Sequence, residues 1–427
     1  MTGLLLLFIF ALFAALMFTR VMPALLAVPA MAIAVAVAVK LPLNNILNDV
    51  IAAGSVKLAP AYVAVFAGAM LGRVMIQTGI AEEIIKRAAE FGGDRPMVVA
   101  GALMVVTAVL FTSLTGLGAV IMVGSLVLPI MMSLGVPRKL AAVLFLMAFA
   151  TGFIFNIALW RLYRELLQIA PDSALPPAVP RFAVGLVVIT AVAVTVYSLI
   201  AAKRAGGTAF WAIKDHEELL SRDPKRRVPL ISFLSPIVPL VLYVGFGWRE
   251  LPAFVGGALF AVLTTQPRLS IRTLTASMVR GVEDGAPAGI LLIGIGMLLN
   301  ALTLPAVKVA LAPMITGLPL RSIPVYVLFF GFLSPLSLYR GPLNPFGVGI
   351  GVYSIMFASG ILPGLALLAA IMSVVQVQNV CDPTNTHNVW IANFTGVRVE
   401  EITRATILTM MMVCIGGLLL GAFMFLR

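Results

Sequence analysis

Four short stretches combine helix-breaking residues with neutral polar side chains inside otherwise apolar sequence, and these are the places where the chain could do chemistry. They lie at 113–116, 151–156, 337–344 and 376–388. A membrane helix that breaks there exposes backbone N–H groups at the start of one half-helix and carbonyl oxygens at the end of the other. The N–H end attracts anions, whereas the carbonyl end suits Na⁺ or a proton donor. The four stretches therefore predict a binding site built from broken helices.

The side chains of these stretches are predicted to bind a substrate and a coupling ion. Serine, threonine and asparagine add hydrogen bonds without the desolvation cost of a fixed charge. The predicted substrate-binding residues are Ser113, Thr115, Gly116, Asn156, Ser337, Arg340, Gly341, Asn344, Asn379, Thr384 and Asn385. The predicted coupling-ion residues are Asn156, Asn379, Asp382 and His387.

Arg340 is the sharpest single prediction, because a charge inside a membrane segment is costly and indicates function. A guanidinium can hold a carboxylate through two parallel hydrogen bonds, which predicts an anionic substrate. The alternative is an arginine at the extracellular interface that reaches lipid phosphate. Arg73 lies near the cytoplasmic end of its span, where we expect it to snorkel to the interface.

Asp382 is the only acidic residue in a predicted broken membrane helix, and His387 lies close to it in sequence. Either side chain could carry a proton, and the carboxylate could also coordinate Na⁺. The alternative is that Asp382 caps the helix that starts after Pro383.

The composition limits the class of protein. The 427 residues are 61% hydrophobic and only 11% charged, whereas soluble proteins carry about 25% charged residues. This excludes a soluble enzyme, a disordered protein and a free nucleic-acid binder. The net charge of +12 does not indicate a nucleic-acid partner, because the 29 basic residues lie in short gaps between apolar runs. Basic residues flank membrane helices in this way, so the lipid bilayer is the expected environment.

The apolar runs predict an all-α polytopic membrane protein with about ten transmembrane helices and two re-entrant hairpins. The predicted spans are 3–19, 21–39, 58–79, 138–160, 182–202, 229–247, 250–265, 285–303, 361–379 and 405–426. The interrupted stretches 96–134 and 322–359 are interpreted as the hairpins, with two short full spans in each as the alternative.

The distribution of basic residues predicts the orientation. The segment 203–228 is predicted to be a cytoplasmic linker, because 203–227 holds seven lysines and arginines. Alternation of the spans then places 18 basic residues inside and nine outside, as the positive-inside rule requires. Both termini are predicted to be extracytoplasmic, in a multi-pass protein of the inner (plasma) membrane.

The two halves of the chain share one plan, which predicts an inverted repeat. Residues 1–202 hold three spans, the hairpin 96–134, a broken helix near Asn156 and a closing span, and 229–427 repeat that order with the hairpin 322–359 and the break 376–388. In the predicted topology the two hairpins open to opposite sides. Inverted repeats with interrupted helices are typical of secondary transporters.

Nothing in the sequence predicts catalysis or a cofactor. The chain has no phosphate-binding loop of the ATPase type, and its two histidines and two cysteines lack the spacing of a zinc site. No enzyme is predicted, and no cofactor apart from Na⁺ as a possible coupling ion. An intramembrane enzyme or an assembly scaffold is the least favoured alternative.

The tips of the two predicted hairpins are the segments SLTGLG (113–118) and SLYRGPLNPFG (337–347). These tips and the interrupted spans at Asn156 and 376–388 resemble those of the ion transporter superfamily. This group includes divalent anion–sodium symporters, citrate and C4-dicarboxylate carriers, and gluconate and arsenite-type permeases. The symporters carry a Ser-Asn-Thr motif in each half, whereas 113–115 here reads SLT and 337–340 reads SLYR. The resemblance covers nearly the whole chain, and it implies a homodimer whose hairpins and broken helices move as an elevator.

The sequence thus predicts a secondary active transporter of small organic anions, namely a di- or tricarboxylate or a sugar acid, coupled to Na⁺ or H⁺. The alternative is a cation/proton antiporter without an organic substrate, which requires acidic residues at the breaks.

Overall fold

The computed structural model of the chain describes residues 2–19, 21–91, 96–167, 176–204, 228–316, 319–347 and 349–426. Throughout these ranges the regular secondary structure is helical, with no strand. Six helices in them are long and apolar enough to cross a membrane, and one pair bent by 58° raises the number to seven. The chain is therefore a helical membrane protein, and this coarse prediction is confirmed.

The first half is a series of helices joined by short turns. In chain order they are α1 (Thr2–Phe18), α2 (Ala24–Ala38), α3 (Leu43–Asn45), α4 (Ala53–Lys57), α5 (Ala59–Thr78), α6 (Ile80–Phe91), α7 (Pro96–Phe111), α8 (Leu117–Ser133), α9 (Arg138–Phe153), α10 (Ile157–Leu166) and α11 (Ala178–Arg204). A π-helical segment (Ile46–Ala52) joins α3 to α4, and the helix continues into α5 as one candidate span, Leu43–Thr78.

The second half has the same character. Its helices are α12 (Val238–Leu240), α13 (Glu250–Thr265), α14 (Ser270–Thr303), α15 (Pro305–Thr316), α16 (Ile323–Phe332), α17 (Gly349–Ala358), α18 (Gly364–Cys381), α19 (Thr386–Thr395) and α20 (Val399–Phe425). Irregular helical segments lie at Leu230–Leu234, Val241–Gly245, Pro267–Leu269 and Ser334–Arg340.

Two predicted spans differ from the observed helices. The span 229–247 is not one α-helix but a 3₁₀ segment, the short α12 and a π-helical segment, because Pro229, Pro236 and Pro239 each lack the N–H that a continuous helix needs. The span 285–303 is only the second part of α14, which begins at Ser270. Asp284, which the sequence places in a cytoplasmic gap, therefore lies within a continuous helix.

Helices of similar length follow one another in the same order in the two halves. The helices α6 and α15 both have 12 residues, α10 and α19 both have 10, and α11 and α20 both have 27. The helices α9 and α18 both start after a proline, and Pro137 and Pro363 have the same backbone angles, φ −55° and ψ 138°. The predicted linker 203–228 falls almost wholly on residues 205–227, which lie outside the described residues.

The helices α9 and α18 form the centre of the molecule. Nearly all of α9 is buried, and so is every residue of 366–381 in α18. α9 packs on α7, α18 packs on α20, and α5 packs along α14. Each central helix follows a predicted hairpin and ends at a break, so the tips and the breaks of both halves come together.

Candidate functional site

A cavity of about 580 Å³ lies where the tips and breaks of the two halves meet. This volume is within the range of about 300–1,000 Å³ that is usual for small-molecule sites. Eight of the residues predicted from the sequence line it, namely Thr115, Gly116, Asn156, Arg340, Asn379, Thr384, Asn385 and His387. The other five do not line it: Ser113, Ser337, Gly341, Asn344 and Asp382.

Arg340 reaches the cavity from the second tip, and its guanidinium forms no hydrogen bond or ion pair with any residue that the structure describes. The backbone around it is strained, because Tyr339 (φ 55°) and Arg340 (φ 59°) both occupy the left-handed region. Such conformations cost roughly 1–3 kcal/mol per residue and persist only where the surroundings hold them. The tip therefore presents to the cavity a cation that forms no hydrogen bond or ion pair with the described residues, and the Asp382 carboxylate acts on it only through its charge.

Asp382 holds the second tip in place through hydrogen bonds. Its fully buried carboxylate accepts four hydrogen bonds: Oδ1 from the Tyr339 N–H (3.0 Å), the Thr384 N–H (2.9 Å) and Thr384 Oγ1 (2.7 Å), and Oδ2 from Asn344 Nδ2 (3.2 Å). Asn344 also donates to the Ser337 carbonyl at 2.8 Å. Asp382 thus fastens the second tip to the second break and supports the loop before α19, as the capping alternative predicts.

The carbonyl oxygens at the end of α18 are already hydrogen-bonded by side chains. Four side chains donate to four successive backbone carbonyls: Asn385 Nδ2 to that of Gln378 (2.8 Å), His387 Nε2 to that of Asn379 (3.1 Å), Asn388 Nδ2 to that of Val380 (3.2 Å) and Thr403 Oγ1 to that of Cys381 (2.7 Å). Each of these carbonyls therefore has a side-chain donor, and a cation at this helix end would have to use the second lone pair of the oxygen. A carbonyl can only accept, so Nε2 of His387 carries the proton of that bond.

Several amide groups at the second break remain incompletely satisfied. The buried atoms without a partner there are Gln376 Oε1, Gln378 Oε1, Asn379 Nδ2 and Asn388 Oδ1. Buried polar atoms are normally paired. The second break therefore holds surplus hydrogen-bonding capacity, and most of it consists of oxygen acceptors.

Asn156 performs at the first break the task that Asp382 performs at the second. Its Nδ2 donates to the carbonyls of Phe111 (3.0 Å) and Leu114 (3.1 Å), and its Oδ1 accepts from the Leu159 N–H at 3.3 Å as the N-cap of α10. The side chain is fully buried. Its backbone counterpart in the second half is Asn385, the N-cap of α19.

The first tip is also anchored by its hydroxyl groups. Ser113 Oγ donates to the Pro236 carbonyl, and Thr115 Oγ1 donates to the Val65 carbonyl at 2.9 Å. These hydroxyls hold the tip against neighbouring segments, although the sequence predicts them as substrate ligands.

Sequence reasoning missed the partner of Arg73. Its guanidinium forms two hydrogen bonds with Asp284 of α14, from Nε to Oδ2 (2.5 Å) and from Nη2 to Oδ1 (2.6 Å). The side chains are 26% and 13% exposed, so the snorkelling interpretation of Arg73 is wrong. Asp284 lines the cavity and lies directly against the first tip, where a Cβ at Gly118 would overlap the carboxylate.

The sequence feature that indicates close packing around the Arg73–Asp284 pair is a row of glycines on α14. Gly281, Gly285 and Gly289 recur every four residues and are all buried, and small residues at this spacing let helices approach closely. A Cβ at Gly281 would lie only 2.6 Å from the backbone of Met70 in α5. The row shows that one face of α14 packs closely on α5 on both sides of Asp284.

A second group of charges is buried away from the cavity. Arg161 and Arg164 of α10 are 4% and 5% exposed, although the predicted topology places both in the extracytoplasmic gap that follows the span 138–160. Arg161 pairs with Glu165, and its Nη1 lies 3.6 Å from Oε2 of Glu250. The carboxylates of Glu165 and Glu250 therefore compensate the charge of Arg161, a task that the sequence prediction leaves to solvent.

No group of three or more His, Cys, Asp or Glu side chains that could hold a metal ion occurs among the described residues. No protein-family model matches the chain, and a search of curated proteins finds no match.

Proposed function

We propose that the protein is a secondary active transporter of small organic anions and that Arg340 holds the substrate carboxylate. The observation that carries the proposal is the guanidinium, which faces the cavity without a partner among the described residues. A cation in a membrane protein is costly unless an anion compensates it, and a carboxylate matches the guanidinium with two parallel hydrogen bonds.

Transport, as opposed to binding alone, is supported by the broken helices. A substrate cavity between interrupted helices of two related halves is the arrangement of secondary transporters. The proposal includes the inverted repeat, the re-entrant hairpins 96–134 and 322–359, about ten spans, and the predicted topology in the inner membrane. It also includes the homodimer and the elevator motion. The matching helix lengths and the Pro137 and Pro363 angles support the repeat.

The coupling ion is proposed to be Na⁺ or H⁺. Oxygen atoms are the usual ligands of hard cations, and Gln376, Gln378 and Asn388 each have a buried side-chain oxygen without a partner. Gln378 lines the cavity, and its oxygen would be a ligand if Na⁺ is the coupling ion. His387 lines the cavity and is the candidate for proton coupling.

The alternative of a cation/proton antiporter has less support. Asp284 is paired with Arg73, and Asp382 accepts four hydrogen bonds. Both carboxylates near the described part of the site are therefore engaged. An antiporter needs a carboxylate that can exchange a cation for a proton.

Reconstituted vesicles test the proposal. Uptake of labelled lactate, succinate, citrate and gluconate is measured under a Na⁺ or a pH gradient, with protein-free vesicles as the control for leakage. We expect gradient-driven uptake of at least one acid, and a loss of that uptake in Arg340→Gln. The matched control is Arg272→Gln, since Arg272 is exposed and does not line the cavity.

Two results would count against the proposal. An Arg340→Gln protein that transports as well as the wild type removes the role of the guanidinium. Absence of anion uptake together with Na⁺- or Li⁺-induced proton movement favours the antiporter.

A further inference from the structure

The walls of the cavity around Arg340 are mostly apolar. Each half contributes aromatic or aliphatic side chains, including Leu117, Phe149, Phe153, Leu159, Leu292 and Phe346. The rings of Phe149 and Phe153 lie 4.4 Å apart, and the His387 ring lies 4.6 Å from Phe149. A ligand whose charge meets Arg340 therefore has carbon and aromatic surfaces around the rest of its body.

Most polar side chains of the wall are occupied by bonds within the protein, and the buried atoms of the wall that keep a free bonding position are Gln378 Oε1 and Asn379 Nδ2. Both ends of the Asn156 amide bond to backbone groups, and both ends of the Asn385 amide bond to Gln378. The hydroxyls of Thr115 and Thr384 donate to Val65 and Asp382. A ligand with many hydroxyl groups would find few partners here, and each unpaired hydroxyl would lose its bonds to water.

Of the two charged residues in the described wall, Asp284 forms an ion pair with Arg73, whereas Arg340 forms none. The Asp382 carboxylate acts on Arg340 electrostatically, but it is already engaged by four hydrogen bonds. A second carboxylate on the ligand would meet no second cation, and leaving a charge buried without a partner is strongly unfavourable.

We propose that this site selects monocarboxylates with an apolar body, in preference to di- and tricarboxylates and sugar acids. The inference rests on the proposed function, because it takes Arg340 as the carboxylate site. It replaces the substrate class that the sequence predicts with one defined by the charge and the walls of the cavity. The volume of about 580 Å³ leaves room for an aromatic ring or a chain of several carbons.

Three acids of six carbons separate the possibilities: hexanoate, adipate and gluconate. They differ only in a second carboxylate or in hydroxyl groups. Binding is measured by isothermal titration calorimetry on the full-length purified protein, because hexanoic acid crosses lipid bilayers unaided. We expect hexanoate to bind at least about tenfold more tightly than adipate, since an unpaired buried charge costs more than this factor. Hexanoate should also bind at least about tenfold more tightly than gluconate, because several hydroxyl groups would lose their bonds to water. From butanoate to hexanoate the affinity should rise about fourfold for each methylene that is buried.

Variants test whether this preference comes from the cavity. Arg340→Gln should abolish hexanoate binding, and Arg340→Lys should weaken it while keeping the preference for one charge. Phe153→Ala should lower the gain per methylene without abolishing carboxylate binding. Arg272→Gln should match the wild type. The comparison of the three acids needs no variant, so a variant that fails to fold leaves the test intact.

The outcomes distinguish the two proposals. If adipate or gluconate binds as tightly as hexanoate and is transported, the substrate class is overturned and the transport proposal stands. If hexanoate shows the expected preference but no acid is transported, the site's selectivity holds and the transport proposal falls. If no acid binds and none is transported, both are overturned.

Discussion

The ion pair between Arg73 and Asp284 makes a quantitative prediction about the free energy of unfolding. The perturbation is a double-mutant cycle of Arg73→Gln, Asp284→Asn and the double variant. The two N–O distances of 2.5 and 2.6 Å join α5 to α14 in a two-pronged contact. Because the side chains are only 26% and 13% exposed, removing one partner leaves the other charge largely without water.

The expected magnitude follows from this burial. Breaking a buried pair typically costs 3–5 kcal/mol, and the partial exposure of Arg73 places each single variant at about 3 kcal/mol. The double variant leaves two neutral amides that can bond to each other, so it should cost about 3 kcal/mol in total and not the additive 6. The coupling energy of the pair is therefore expected to be about 3 kcal/mol.

Reversible unfolding in mixed micelles, followed by tryptophan fluorescence, measures these free energies. The control is the pair Arg398–Glu401, which has a similar distance of 2.8 Å but side chains that are 77% and 38% exposed. Its coupling should be indistinguishable from zero, because solvent screens it. Additive effects at Arg73 and Asp284 would refute the reasoning, since they would mean that the arginine behaves as a snorkelling residue.

Three further predictions concern the tips and breaks. Asn156→Ala removes an N-cap and two bonds to carbonyls, so the protein should lose about 3 kcal/mol of stability in the same unfolding assay; an unchanged midpoint would contradict the fastening role. Gly152→Ala places a Cβ against the Ala108 backbone and should cost about 2 kcal/mol through overpacking, whereas Gly101→Ala, with nothing within 4 Å of its Cβ, should not destabilise. Asp382→Asn can keep the three bonds that Oδ1 accepts, so vesicle uptake should retain the ion dependence of the wild type; a loss of that dependence would make Asp382 the carrier of the coupling ion.

Local sequence predicts the breaks and the tips but not the bonds that occupy them. Pro137, Gly116 and Pro363 interrupt or start helices through their own backbone preferences, so the places of the irregular backbone can be read from single residues. Asp284 meets Arg73 across 211 residues. That contact depends on which faces of α5 and α14 pack together, and no local pattern contains this information.

The same limit explains why several polar side chains were assigned to the substrate. Serine, threonine and asparagine near a break can bond either to a ligand or to the backbone groups that the break exposes, and the two uses require the same residue types. In the structure Ser113, Thr115 and Asn156 bond to the protein itself. Arg340 differs because no backbone carbonyl in the described part of its surroundings accepts from it.

The bonds that fasten each tip to its break stay within one half of the chain. Asn156 bonds to Phe111 and Leu114, and Asp382 bonds to Tyr339 and Asn344. The main charged contact between the halves at the cavity, Arg73 with Asp284, is not covalent. Two polypeptides divided in the middle of the chain would each contain both partners of their own tip-to-break bonds, and of these contacts only the Arg73–Asp284 pair would have to form between them.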